Sequence, residues 1–180
     1  MFQGSPLSPL LSNVILNELD QKLEAKKLKF VRYGDDVLIF TKSSRKSERA
    51  MKLINRYLTD ELSQFLNKKK SRVSSPMELK YLGFGNFLDK DAKWQLTAHS
   101  ESVEKFRIKL EKLTQENLRL SLDAVNDKLK QSIEGWVVYF RIAKMEDVVM
   151  LLDDELRSWM RVFIWKQWAA RKSRSSRWLN

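Results

Sequence analysis

The sequence predicts an α+β chain: an antiparallel sheet with two helices over residues 1–98, then an all-α three-helix region over residues 99–180. Three observations carry that expectation. Apolar, β-rich runs are concentrated between residues 28 and 97, the second half reads at helical spacing throughout, and the change of character falls near residues 97–100. With 180 residues and 43% hydrophobic content, the chain can bury the core of one sizeable domain or two small ones.

Pro6-Leu7-Ser8-Pro9 is a helix-entry signal, with Ser8 as N-cap and Pro9 in the first turn. Leu11, Val14, Ile15, Leu19 and Leu23 follow at helical spacing and predict a helix over 8–26. Leu28 to Arg32 and Val37 to Phe40 then flank Tyr33-Gly34-Asp35-Asp36, the pattern of a hairpin with a tight Gly/Asp tip. After a polar loop from Thr41 to Arg45, the stripe Ala50, Leu53, Ile54, Tyr57, Leu58, Leu62 and Phe65 predicts a second helix packed on the sheet. Its basic residues, Arg45, Lys46, Arg49, Lys52 and Arg56, form a solvated outer face.

Lys68 to Val73 reads as a short basic strand, and Phe87–Leu88 and Trp94–Leu96 as further strands around an Asp89-Lys90-Asp91 turn. Three helical stripes complete the chain. They are Val103, Phe106, Leu110 and Leu113; Leu122, Val125, Leu129, Ile133, Trp136 and Phe140; and Val148, Leu152, Leu156, Trp159 and Phe163. Asn117 with Ser121 to Asp123 marks the first break between them, and Ala143 to Asp147 the second.

Charge narrows the partners. There are 34 Lys+Arg against 23 Asp+Glu, a net +11 with a pI near 9.8, which predicts affinity for polyanions, nucleic acid ahead of an anionic membrane surface. No apolar run approaches the roughly 20 residues needed to span a bilayer, and the N-terminus lacks a basic segment followed by an apolar signal core. A cytoplasmic location without membrane association is expected. With no cysteine and one histidine, disulfide frameworks and thiolate metal sites are excluded, so any catalytic metal must sit on oxygen ligands.

Asp35 and Asp36 are the natural oxygen donors. Adjacent carboxylates at a hairpin tip repel each other unless cations or water offset the cost, and Mg²⁺, held by one or two carboxylates and by substrate phosphates, fits that need. The competing reading is an ordinary solvated turn, where Asp pairs are common. Beyond Glu155 the chain carries Arg157, Arg161, Lys166, Arg171, Lys172, Arg174 and Arg177 with no acid, interleaved with Trp165, Trp168 and Trp178. This run suits a phosphate backbone plus stacked bases; the alternative is a core helix with buried aromatics and a basic tail.

The order of the motifs is more specific than any one of them. Gln3-Gly4-Ser5-Pro6-Leu7-Ser8-Pro9-Leu10-Leu11-Ser12-Asn13, Phe30 to Asp36, Asn67 to Val73 and Tyr81-Leu82-Gly83-Phe84 together resemble the palm of a reverse transcriptase from its middle onward. Gly135-Trp136-Val137-Val138-Tyr139-Phe140 and Ile164-Trp165-Lys166-Gln167-Trp168 resemble the maturase-specific thumb of bacterial group II intron reverse transcriptases. The resemblance implies RNA-directed DNA polymerase chemistry with two Mg²⁺ ions, a dNTP, a DNA primer, an RNA template and the intron RNA as partners.

It also implies roles for individual residues. Asp35 is the principal metal carboxylate and Asp36 its neighbour; Tyr33 packs near the primer terminus, and Gly34 lets nucleic acid approach the backbone. Gln3 and Gly4 line the incoming dNTP, and Gly83 belongs to the turn that grips the primer backbone. Lys70 lies near the triphosphate, although three consecutive lysines, Lys68 to Lys70, leave that register open against a basic solvated strand. Trp136, Tyr139 and Phe140 are expected in the thumb core, and Arg157, Arg161, Lys166, Arg171, Lys172 and Arg174 on its RNA side.

Some positions depart from the family pattern. The match starts about halfway through the polymerase domain, without the fingers and the first palm strand with its third carboxylate, so these residues alone are expected not to polymerise DNA. Met1-Phe2 stands where relatives have a pair ending in proline, as for a start placed inside a longer gene. Gly34 stands where alanine is more usual, and Glu116-Asn117 where many relatives have arginine before the asparagine. Two alternatives remain open: a stand-alone RNA-binding module without catalysis, and a retron or diversity-generating relative, which fits the palm but explains the thumb less well. A palm cut in this way exposes a strand edge, which makes a homodimer an expectation.

Overall fold

A computed structural model describes residues 7–67, 69–115 and 120–176, with side chains to residue 170. The α+β class is observed, with five α-helices and four strands among the described residues. By packing, the chain divides into two compact units, Met1–Ser75 and Pro76–Asn180.

In the first unit, α1 (Ser8–Ala25), strands β1 (Lys29–Tyr33) and β2 (Asp36–Phe40), and α2 (Ser44–Asp60) follow in chain order. Helix α1 starts at Ser8 itself, one residue earlier than a Ser8 cap implies: Leu7 occupies the cap position with helical φ −80° and ψ −18°, and Ser8 is the first residue of the helix. The exit is a Schellman turn. Lys27 adopts φ 54°, its N–H donates to the Glu24 carbonyl and the Leu28 N–H donates to the Leu23 carbonyl, which returns the chain directly into β1. Leu23 and Leu28 meet in the same apolar cluster, as that motif favours.

The core of this unit is Leu19, Leu23, Ile54 and Leu58, covered by Leu16, Phe30, Val37, Ile39, Leu53 and Tyr57. Both helices thus pack on the sheet face that carries Phe30 and Ile39, and burying each leucine contributes about 2 kcal/mol. Helix α2 starts at a Ser43 cap whose side chain accepts from the Lys46 N–H. It ends at Asp60, before the last two residues of its predicted stripe: Leu62 still packs on the cluster, whereas Phe65 is 83% exposed. The left-handed Ser63 (φ 50°) turns the chain away between them.

In the second unit, β3 (Phe84–Leu88) and β4 (Trp94–Ala98) form a hairpin, followed by α3 (Ser100–Gln115), α4 (Leu122–Phe140) and α5 (Glu146–Ser176). Ser121 caps α4 through the Ala124 N–H, and the second break lies between Phe140 and Glu146, both as the stripes predict. Phe106, Leu110, Val125, Leu129, Leu152 and Phe163 are the buried centre of the three helices. A second cluster, Ala98, Phe140 and Met145 with Phe84 and Val103, joins the hairpin to these helices. The sheet residues from 84 to 98 therefore pack with the helical unit, and the four strands form two separate two-stranded sheets.

The expected strand from Lys68 to Val73 does not form. Lys68 lies outside the described residues, Lys69 and Lys70 form a turn held by Asn67, whose side chain accepts from the Lys69 N–H and whose carbonyl accepts from Lys70 and Ser71, and Ser71 to Val73 are irregular. An Asx-type turn satisfies these backbone donors locally, which competes with strand pairing.

Candidate polymerase and RNA-binding sites

The Gly34-Asp35 tip is a two-residue loop closing the Tyr33↔Asp36 pair. Gly34 has φ 58° while Asp35 has no positive φ, the pattern of a type II′ turn, which matches the twist of the flanking strands. Pairing sets the faces. Val31, Tyr33, Asp36, Leu38 and Phe40 share the face opposite the helices, and Val31 (49%), Tyr33 (69%) and Phe40 (50%) are exposed there. Tyr33 and Asp36 thus stand side by side on an open, partly apolar surface, with Asp35 at its end.

Residues on α1 hold this tip. The Ser12 hydroxyl donates to Asp35 Oδ1. Arg32 lies behind it: its Nε and Nη2 donate to both oxygens of Asp20 at 2.6–2.9 Å, and its Nη1 donates to Asn13 Oδ1 (2.7 Å) and to the Gly34 carbonyl (3.1 Å). The Arg32 and Asp20 side chains are only 14% and 20% exposed. One guanidinium therefore fixes the helix, the strand and the turn carbonyl together, using the planar fork that lysine lacks. Sequence reading missed Arg32, Asp20 and Ser12 as positioning residues; a basic residue on the buried side of an otherwise apolar strand was the available signal.

The other expected residues divide between the two units. Gln3 and Gly4 lie outside the described residues. Lys70 is exposed in the Asn67 turn. Gly83 lies in the second unit, at φ 82° beside Leu82 at φ 50°, in a tight turn closed by reciprocal hydrogen bonds between Tyr81 and Phe84. The Gly83 carbonyl accepts from the His99 N–H and the Ser102 hydroxyl, each at 2.9 Å. A Cβ here would meet Ser102 Oγ at 3.3 Å and Phe140 Cζ at 3.4 Å, so a side chain would be crowded as well as strained at this φ.

On α5, Arg157, Arg161, Trp165 and Trp168 are all exposed, Trp165 at 66% and Trp168 at 62%. At roughly 100° per residue they fall in one row along the helix, opposite Leu152, Leu156, Trp159 and Phe163, which face the core. Trp165 and Trp168 are thus surface groups, so the buried-aromatic alternative does not hold for these two, whereas Trp159 packs on the core as its place in the apolar stripe predicts. Arg157 pairs with Asp153 at 2.8 Å. Lys166 is exposed but lies away from this row. The side chains of Arg171, Lys172 and Arg174 lie outside the described residues, as does Trp178. Trp136 stacks on Phe106 at 4.5 Å and Phe140 is buried, as expected of core aromatics. Tyr139 departs from that expectation: it is 54% exposed, and its hydroxyl donates to the Leu82 carbonyl at 2.8 Å.

Comparison with known families accounts for both units. Residues 1–85 match the reverse transcriptase (RNA-dependent DNA polymerase) family, and residues 103–179 match the group II intron maturase-specific domain. None of the curated proteins compared matches the chain. A reverse transcriptase segment followed in one chain by a maturase-specific domain is the organisation of one family, and this chain belongs to the group II intron reverse transcriptases and maturases.

Proposed function

We propose that this chain contributes catalytic carboxylates and a thumb to RNA-directed DNA synthesis, gripping an RNA template with its DNA primer and binding intron RNA. The observation that carries the reading is the Tyr33–Asp36 turn, which presents two adjacent carboxylates at the end of an open sheet face, the Asp35 carboxylate held by Ser12. Hard oxygen donors of this kind suit Mg²⁺. Among the described residues no group of three or more His, Cys, Asp or Glu could hold a metal, so water, substrate phosphates or a carboxylate outside those residues must complete the shell. When bound, the metal favours ionisation of the primer 3′-hydroxyl and offsets charge on the pyrophosphate.

The chain's own groups supply the positioning. Ser12 and Arg32 hold the turn, and the exposed Tyr33 ring supports the primer terminus. Gln3 and Gly4 line the dNTP, Lys70 meets its triphosphate, and Gly83 holds the primer backbone. Arg157, Arg161 and Lys166, followed by Arg171, Lys172 and Arg174, engage RNA phosphates, with Trp165 and Trp168 as stacking surfaces. The family domains part near residue 98, with palm before and thumb after. No described helix is long and apolar enough to cross a membrane, and the cytoplasm is the location this reading carries. Neither β1 nor β2 has a third strand partner among the described residues, so the sheet is open to a further strand or to a second copy of the chain.

Joining the chain to the fingers and first palm strand of a relative tests the reading. Mg²⁺-dependent primer extension is expected, with Asp35→Asn lowering its rate by more than about 10²-fold while duplex binding persists. Extension that survives Asp35→Asn sinks it.

A further inference from the structure

The Leu82-Gly83 turn is held from the helical unit. Tyr139, on α4, donates its hydroxyl to the Leu82 carbonyl, and Ser102, on α3, donates to the Gly83 carbonyl beside the His99 N–H. The Tyr139 ring also stacks on Phe84 at 5.6 Å and meets Phe140 edge-on at 4.8 Å. Leu82 is a bulky residue at φ 50°, a conformation that costs about 1 kcal/mol and persists only where its surroundings hold it. Both carbonyls point into helical partners, whereas the N–H groups of Leu82 and Gly83 have no acceptor among the described residues. Backbone N–H groups left open in this way are donors for phosphate oxygens.

We propose that Tyr139 and Ser102 are positioning residues for the primer: they anchor the turn's carbonyls so that its N–H groups face the primer phosphates. The maturase-specific helices, and not only the sheet, thereby decide where the primer backbone lies. This rests on the reading of Gly83 as the primer-holding turn.

The test uses the 180-residue chain and two labelled probes, an RNA template annealed to a shorter DNA primer and the same RNA single-stranded. The wild type should prefer the primed duplex. Tyr139→Phe keeps the ring and removes only the hydroxyl, so duplex affinity should fall about fivefold, with single-stranded affinity unchanged. Ser102→Ala should behave alike, and Ser102→Thr should restore binding. If Tyr139→Phe fails to fold, the Ser102 pair decides alone. Variants that bind duplex like the wild type overturn the proposal, as does an equal loss on both probes, which marks a merely structural role. A wild type with no preference for the duplex overturns the primer-holding reading itself, and the proposal with it.

Discussion

Arg32 ties the helix, the strand and the turn of the first unit together. It satisfies Asp20 with two fork donors and still reaches Asn13 and the Gly34 carbonyl. Removing one member of so buried a pair strands the other, so Arg32→Ala should cost about 3 kcal/mol in urea unfolding. Arg32→Lys keeps the charge without the fork and should cost a good part of that. Gly34→Ala restores the residue more usual in the family. No heavy atom lies within 4 Å of the added Cβ, so its cost of about 1 kcal/mol should come from φ alone. Gly83→Ala combines the same backbone strain with contacts at 3.3 and 3.4 Å, and should cost more. The Asp35-Asp36 pair was legible because four consecutive residues carry it. Arg32–Asp20 and Tyr139–Leu82 were not, because their partners lie 12 and 57 residues apart and meet only through packing.

The turn of the β3–β4 hairpin is held by backbone bonds between Asp89 and Lys93 and from Ala92 to Asp89, and by the Asp89 carboxylate. Asp89 Oδ1 accepts from the Asp91 and Lys93 N–H groups, and Oδ2 accepts from the Gln95 side chain. These bonds, the Lys93 N–H foremost, hold the Asp89 carboxyl below its usual range. Glu101 is likewise lowered, first by its hydrogen bond from Lys80. A lowered carboxylate binds its proton less readily folded than unfolded, so its stabilisation is complete above the unfolded value and lost as pH falls through the folded one. Thermal melts of the second unit should therefore fall in Tm below about pH 4, and Asp89→Asn should flatten that dependence. Ser121→Ala should cost about 1 kcal/mol through the lost α4 cap. Helices α1, α3, α4 and α5 were legible because apolar spacing persists over several turns. The segment after Asp60 was not: a left-handed Ser63 and the Asn67 turn override an apolar pattern that continues to Phe65.

Across the molecule, a net charge of +11 joins with a row of Arg157, Arg161, Trp165 and Trp168 on one long helix. RNA affinity should fall linearly with salt on logarithmic axes, and Arg161→Ala should reduce the slope by about 0.7. Trp165→Ala should weaken single-stranded RNA binding about tenfold with the slope unchanged, because stacking releases no counterions. The most direct test of the central claim, that the Tyr33–Asp36 turn is a metal-binding polymerase element, is paramagnetic broadening by Mn²⁺ in NMR spectra of the chain with primed duplex and dNTP. Broadening centred on Gly34 to Asp36, and lost in Asp35→Asn, is the predicted result. Broadening that spares these residues, or that persists unchanged in Asp35→Asn, would contradict it.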